Sequence, residues 1–501
     1  MNPVLKKAAD AAQGVFLWAD DRMHLTKLWE STAGHHVPKS AGSWFYVFGS
    51  ATLVCFMVQL VTGIMLALVY VPSAAEAYQT LEYLTYQQDL GWFLRAVHYW
   101  GSDFMVGIMI LHMTQVYLFG AYKYPREITW LSGLVLMVLT LGLAFTGQVM
   151  RFDEDAYWGL GIGAAIVGRV PFIGEQAVQM MLGGQIIASE TLSRFFALHV
   201  FVLPGAVLAF VSLHLRMVLT KGINEYPQPG MLVRRETYDK EYAAIIKREG
   251  VPFFPKAISK DLVAASVVIL GILACAVIFG PKGPSGPPDP TQIDTIPRPD
   301  FWFLWIFAIA ALMPPEIETV ALLVGPVIIG IILVALPFVN GTGEKSWRRR
   351  PVAVIIVLLT YTALGMLTYL GHASPWSPVM NAWSSATTPS AQILNRSPLE
   401  LQGSVVLQLM QCRNCHAIDD IGGERGPSLS DVGTRLTKPQ LVRQVVQGGG
   451  NMPAFGQSLN PYQLEAIVDY MATLRPPGIP AARDSTIPAV PDHKKKAATD
   501  S

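Results

Sequence analysis

The sequence predicts an all-α protein, a polytopic membrane helical bundle of about seven transmembrane helices followed by a small all-α soluble domain. Three observations carry that prediction. Of 501 residues, 51% are hydrophobic and only 15% charged, with a net charge of +1. That balance fits a membrane bundle and excludes a nucleic-acid binder. Apolar runs long enough to cross a hydrocarbon core of about 30 Å recur along the first three quarters of the chain. Beyond residue 371 the composition turns polar.

The elements follow in chain order. Residues 1–43 form an amphipathic segment without a cleavable signal-peptide pattern. Spanning runs cover roughly Trp44 to Tyr70, Trp92 to Phe119, Trp130 to Met150 and Phe195 to Thr220, a four-helix domain over 44–220. A loop over 221–259 leads to a second domain, 260–371, with runs at Leu262 to Gly280, Val320 to Val339 and Val352 to Gly371. The run from Phe301 to Met313 is too short to cross and stops at Pro314 and Pro315, so it lies re-entrant or along the surface. A Pro- and Ser-rich linker (372–396), a soluble domain (397–478) and a solvated, disordered tail (479–501) complete the chain.

Orientation follows from the basic loops. Lys123, Arg126, the stretch Lys221 to Lys260 and Arg348 to Arg350 fall on one side, with the N-terminal Lys6, Lys7, Arg22 and Lys27. The positive-inside rule makes that side cytoplasmic, and seven crossings place the soluble domain outside the plasma membrane.

Four histidines stand inside apolar runs, His98 with His112 and His199 with His214, spaced by 14 and 15 residues. At about 1.5 Å per residue each pair is roughly 21 Å apart, and both rings stay within roughly 60° of one helix face. Any one of them could be a satisfied polar group of a bundle. Matched ladders on two helices instead suit two haems clamped between histidines, stacked across the bilayer. Gly49 and Gly63, and Gly133 with Gly147, repeat the 14-residue interval on two other helices. A residue without Cβ lets a bulky ring approach the backbone.

In the soluble domain Cys412, Arg413, Asn414, Cys415 and His416 form the c-type haem attachment pattern, with His416 as proximal ligand. Met452, next to Asn451, Pro453 and Ala454 in a glycine-rich setting, offers a sixth ligand. Asn460 and Pro461 open a closing helix that runs to Leu474. Cys55 and Cys275 read as small core residues, and no structural disulfide is indicated.

These residues resemble the cytochrome b subunit of Rieske/cytochrome b complexes over roughly Leu28 to Gly371, fused to a class I cytochrome c. The stretch Thr191 to His199 resembles the start of that family's fourth helix, and the 15-residue spacing resembles its b-f-type branch, whose chain is normally split in two. The resemblance implies that His98 and His199 share the outer haem b and His112 and His214 the inner. It also implies that Arg95 and Arg194 face haem propionates, although each could be a snorkelling interfacial arginine. The family's Pro-Glu-Trp-Tyr signature has its counterpart in Pro299, Asp300, Phe301 and Trp302. Asp300 is then expected to take a proton from quinol, if burial raises its pKa. Trp158 and Gly159, and the turn Pro171 to Gly174, are expected in the same pocket. Lys260 and Asp261 resemble a pair at the inner quinone site, or form a charge pair at a helix start.

Two departures stand out. Gln148, Arg151 and Phe152 replace the family's usual Tyr, Pro and Trp, and Val47 stands where the b-f branch carries a cysteine for an extra haem, so no third covalent haem is expected. The implied activity is that of the redox core of a quinol:cytochrome c oxidoreductase. Its implied partners are a separate Rieske iron-sulfur protein, the quinone pool, a cytochrome c or terminal oxidase as acceptor, lipid, and a second copy of the complex. A di-haem anchor for a dehydrogenase, or a conduit without a quinol site, is the alternative; neither explains the last three helices.

Overall fold

The computed structural model describes residues 3–184, 187–288, 298–313, 315–373, 390–423, 426–448, 452, 455–456 and 458–482. Pro314, most of the linker, the residues 449–451, Pro453, Ala454 and the tail beyond 482 lie outside the described residues. The chain divides into two compact units. One comprises Met1–Ala156, Leu192–Pro287 and Pro299–His372; the other comprises Tyr157–Thr191, Pro288–Arg298 and Ala373–Ser501.

The first unit is a helical bundle. It contains α1 (Pro3–Met23), α2 (Phe48–Ala67), α3 (Gly91–Leu118) and α4 (Glu127–Met150). In chain order α5 (Glu154–Gly168) and α6 (Gly174–Leu182) come next and fall almost wholly in the second unit, and the first unit resumes with α7 (Ser189–Lys221), α8 (Ile258–Phe279), the short α9 (Leu304–Leu312), α10 (Pro315–Val339) and α11 (Pro351–Ala373). Six helices among the described residues are long and apolar enough to cross a membrane, α2, α4, α7, α8, α10 and α11. Helix α3, the remaining run expected to span, has the length at 28 residues. It falls short in hydropathy because it carries Arg95, His98, Asp103 and His112. Helix α9 has nine residues, about 14 Å, and cannot cross. Cys55, Phe56, Ala96, Met105, Val207 and Ile272 form the buried heart of the bundle, so Cys55 is a core residue as read from sequence.

Helix α7 has a local irregularity with a clear cause. Pro204 has no N–H to donate to the preceding turn, and residues Leu198–Val202 widen into a π turn. A π turn absorbs one additional residue. The 15-residue interval between His199 and His214 therefore holds the same face as the 14-residue interval between His98 and His112, which lies in regular α-helix.

One end of the bundle is tied by buried cations. Lys123 donates to the backbone carbonyls of Asn340 and Thr342 at 2.8 and 2.6 Å, and Arg126 to the Tyr238 hydroxyl at 2.6 Å. Lys345 pairs with Glu225 at 2.6 Å, and Arg350 donates to the Tyr117 carbonyl at 3.0 Å. Short antiparallel pairings, His36–Pro38 with Gly250–Pro252 and Leu232–Val233 with Gly343–Glu344, close the same loops. The basic residues of these loops thus gather on one face, but Lys123, Arg126 and Lys345 are buried structural groups rather than free surface charge.

In the second unit, α12 (Pro398–Leu409) and α14 (Pro461–Thr473) cross at very close range: a Cβ on Gly403 would stand 2.0 Å from the Ala466 carbonyl oxygen. With α13 (Lys438–Gln447) they enclose Leu407, Ile418, Leu441, Ile467 and Tyr470. Capping boxes Ser397/Glu400 and Asn460/Gln463 start α12 and α14.

Burial holds the Lys345–Glu225 pair away from water, so removing one partner leaves a charge uncompensated. Lys345→Met is expected to destabilise the bundle by about 3 kcal/mol, and adding Glu225→Met to recover part of that loss. Thermal unfolding of the purified chain reads both; an unchanged midpoint in the single variant would show that the pair is not stabilising.

Candidate functional site

The four membrane histidines owe their orientation to neighbours on α2 and α4. The Nδ1 atoms of His98, His199 and His214 lie 2.9, 2.9 and 2.8 Å from the hydroxyls of Thr62, Thr146 and Ser132. Each hydroxyl spends its single proton on a carbonyl of its own helix, those of Val58, Gly142 and Thr129. It therefore receives the proton of Nδ1, and Nε2 is left with a free lone pair, the state a metal ligand needs. His112 differs: its Nδ1 is buried without a partner. The reason is visible in the sequence, where Thr62, Ser132 and Thr146 each precede one of the four glycines and Phe48 precedes the other.

The glycines admit the imidazoles themselves. A Cβ on Gly147 would meet His199 Cε1 at 2.9 Å, one on Gly63 His98 at 3.2 Å, one on Gly49 His112 at 3.2 Å, and one on Gly133 His214 at 3.7 Å. Between α3 and α7 the rings of His98 and His199 face each other with centroids 6.3 Å apart. That separation accommodates one metal ion with imidazole bonds of about 2 Å on either side. Both rings line a cavity that also touches Gly63, Gly147, Arg95 and Tyr70. Among the described residues no three His, Cys, Asp or Glu side chains cluster. What the fold supplies is an opposed pair of imidazoles, a donor set that would suit a haem iron.

Arg95 and Arg194 are not equivalent. Arg95 is buried in the cavity wall and donates to the Thr85 hydroxyl and to the carbonyls of Lys282 at 2.9 Å and Gly283 at 3.3 Å. Arg194 is exposed on α7 and does not line the cavity.

Asp300 borders the same cavity and is the centre of a buried ionic knot. Its carboxylate meets Lys282 at 2.6 Å and Arg151 at 3.1 Å, and its backbone N–H donates to Gln148 at 3.2 Å. Arg151 also pairs with the fully buried Asp153 at 3.3 Å. Burial by itself would raise the pKa of Asp300, but the Arg151 guanidinium and the Lys282 ammonium outweigh it and hold the carboxyl below its ordinary range. This corrects the expectation that burial makes Asp300 a proton acceptor near working pH. It also accounts for two departures from the family pattern, because Gln148 and Arg151 are the residues that hold Asp300. Next in the chain, Phe301 is exposed, and the Trp302 indole donates to Asp103 at 2.9 Å. Lys282, Asp153 and Asp103 escaped sequence reading because no spacing links them to the 299–302 stretch.

Lys260 and Asp261 contact each other at 3.0 Å, and Asp261 accepts from the Ser50 hydroxyl at 2.8 Å, which is the charge pair at a helix start. In the second unit, Trp158 and Gly159 lie on α5, and the Trp158 indole N–H is buried without a hydrogen-bond partner. It is a donor available to a ligand oxygen.

In the second unit Cys412 and Cys415 flank a 3₁₀ turn, Cys412–Asn414, at the edge of the core. The Nδ1 of His416 donates to the Pro427 carbonyl at 2.7 Å, which again leaves Nε2 free. Gly426 lies against this ring so closely that a Cβ would stand 2.2 Å from Cε1. Met452 packs against the same core, its sulfur 3.5 Å from Gln444 Nε2.

A family profile described as cytochrome b/b6/petB matches residues 33–222, and one described as cytochrome c oxidase, cbb3-type, subunit III matches residues 402–471. The chain is 38% identical over 210 residues to cytochrome b6 of Synechococcus sp. (strain JA-3-3Ab), which is 42% of this chain and 97% of that protein. It is 36% identical over 210 residues to cytochrome b6 of Synechococcus elongatus, again 42% of this chain and 97% of the relative. Among solved structures, a hyperthermophilic respiratory Complex III chain superposes with a TM-score of 0.61 at 26% identity, over 72% of this chain and 91% of that one. The bundle, its histidine ladder and these matches agree: the chain belongs to the cytochrome b/b6 family and carries a cytochrome c domain fused at its C-terminal side.

Proposed function

We propose that the chain is the redox core of a quinol:cytochrome c oxidoreductase. The observation that carries this reading is the His98–His199 pair, oriented by Thr62 and Thr146, in a cavity that also holds the Asp300 knot. A metal-ligand pair and a charged apolar pocket then share one wall. His98 with His199 and His112 with His214 would each hold one non-covalent haem b, and Arg95 would face the propionates of the first. Cys412 and Cys415 would bind a haem c covalently, with His416 and Met452 as its axial ligands. Haem supplies one-electron transfer; the chain's residues decide where it takes place and what is admitted.

Quinol is assigned to the region of Pro299, Asp300, Phe301 and Trp302. Asp300 acts there as a fixed negative charge that anchors the stretch through Arg151 and Lys282. The quinol's two electrons divide between the b-type centres, leading to a quinone site near Lys260 and Asp261, and a separate Rieske iron-sulfur protein that serves the fused cytochrome c. A further cytochrome c or terminal oxidase accepts from that domain. We assign the basic face of the bundle to the cytoplasm and the cytochrome c domain to the outer side of the plasma membrane, in a homodimeric complex.

Pyridine haemochrome spectra of the purified chain are expected to give two b-type haems per c-type haem. Fewer than two b would break the histidine pairing, and a second c would overturn the inference from Val47. Gly147→Val drives a side chain into the His199 ring and is expected to remove one of the two b haems. Gly205→Val, at a site with nothing within 4 Å of the added Cβ, is expected to leave both. Asp300→Asn is expected to keep all haems yet slow quinol-dependent b-haem reduction about tenfold, a loss of about 1.4 kcal/mol; an unaltered rate would remove Asp300 from the site.

A further inference from the structure

The 299–302 stretch meets two carboxylates of opposite character. Asp300 has two cations within 3.1 Å. Asp103, on α3, has no ion pair among the described residues; its Oδ1 accepts the indole N–H of Trp302 at 2.9 Å. The ring of Tyr99, one helical turn earlier, stands beside it. The Trp302 ring also covers Gly107, one turn later, where a Cβ would meet it at 3.4 Å. Asp103 is thus enclosed by neutral groups, Tyr99 on its own helix and Trp302 opposite. The charges of Asp300 and Lys282 act on it only from beyond contact, with opposite signs.

This placement asks for a reason. Asp103 lies in a membrane-spanning helix about 7.5 Å along the axis from His98, and an ionisable group at that depth is costly. Holding the Trp302 N–H does not require it, because an asparagine, a serine or a backbone carbonyl accepts the same hydrogen bond without a charge to desolvate. A carboxyl is useful there if it changes protonation. A half-buried carboxylate in contact only with neutral partners gains a proton more readily than one clamped by two cations. Quinol oxidation must dispose of two protons, and Asp300 is the clamped one.

We propose that Asp103 is the proton-accepting carboxyl of the 299–302 site, with Trp302 orienting it and Asp300 remaining ionised. The proposal rests on the quinol reading above. In the step assigned to it one quinol O–H bond breaks, its bonding pair stays on the quinol oxygen, and the proton forms the O–H of the Asp103 carboxylic acid; the second quinol proton leaves to water. The two electrons would go to the one-electron acceptors of the functional reading, a haem that His98 and His199 would hold and the separate iron-sulfur protein. Asp103 then returns its proton to water before the next turnover.

The test uses the full chain in its native membrane with its partner subunits, comparing wild type, Asp103→Asn, Asp103→Glu and Asp300→Asn. Reduction of the b haems by decylubiquinol and by a short-chain menaquinol is followed between about pH 5 and pH 9, the range in which a buried carboxyl titrates. In the wild type the rate is expected to rise with pH and level off. Asp103→Asn is expected to lose that rising limb and about tenfold or more in rate, and Asp103→Glu to regain both. Reduced-minus-oxidised infrared spectra supply a readout that a structural role would not move. A protonated-carboxyl C=O band is expected in wild type and Asp300→Asn and absent in Asp103→Asn. An Asp103→Asn chain with wild-type rate, pH profile and carboxyl band overturns the proposal. If it binds less haem, Asp103→Glu decides, since a carboxyl band unshifted from wild type would place the proton elsewhere. A wild-type chain that takes no electrons from either quinol would overturn the functional reading and this inference with it; active wild type beside an indifferent Asp103 variant overturns this inference alone.

Discussion

The bundle depends on a repeated contact in which an imidazole lies against a glycine while its Nδ1 meets the hydroxyl one residue earlier. Gly63 with Thr62, Gly133 with Ser132 and Gly147 with Thr146 all use it. The contact sets several things at once. It brings α2 against α3 and α4 against α7, most closely at Gly147, where an added methyl would sit 2.9 Å from the His199 ring, and least closely at Gly133, where it would make an ordinary 3.7 Å contact. It also fixes the tautomer, because the hydroxyl's proton already belongs to a helix carbonyl. The rings of His98 and His199 then stand 6.3 Å apart, centroid to centroid, across the space between α3 and α7. Helix packing and ligand preparation are thus a single interaction seen from two sides.

A second constraint acts at the His98–His199 end. Arg95, Arg151 and Lys282 line a cavity that Asp300 also lines, and Asp300 together with the buried Asp153 offsets their charge. Buried ion pairs are costly to assemble and destabilising to break singly. Here their geometric effect is plain. Asp300 ties the 299–302 stretch to α4 through Arg151 and Gln148 and to the segment after α8 through Lys282, while Arg95 holds that segment from α3. The short helix α9 therefore starts from a fixed point.

Much of this was legible in the chain. The spanning helices follow from apolar length, and the ladder follows from 14-residue intervals shared by histidines and glycines, because a helix converts sequence interval directly into position. The capping of α14 by Asn460 and the attachment pattern at Cys412 to His416 are likewise local. What escaped is what depends on contacts between distant segments. Asp103 and Trp302 are 199 positions apart, and Arg151 and Asp300 are 149 apart. The same limit explains the misjudged titration of Asp300, whose burial was inferable from its apolar surroundings but whose cations were not. The alternation of hydroxyl and glycine was visible and local, and it went unread because its meaning appears only once the histidines stand opposite.

The difference of one residue between the two ladders shows how a covalent detail propagates. On a regular helix a fifteenth residue would leave the two rings about 60° apart around the axis, against about 40° in the opposite sense for 14 residues, so the two ladders would present their rings differently. Pro204 removes one backbone donor just where the chain must accommodate that residue, and the π turn Leu198–Val202 takes it up around His199 itself. The turn therefore lies at the ring that already has the closest glycine, Gly147, and the hydroxyl of Thr146. A widened backbone at His199 is tolerable because side-chain contacts, rather than helix regularity, hold that ring. The sequence interval, the proline and the tightest glycine contact of the four all act on one ring, that of His199.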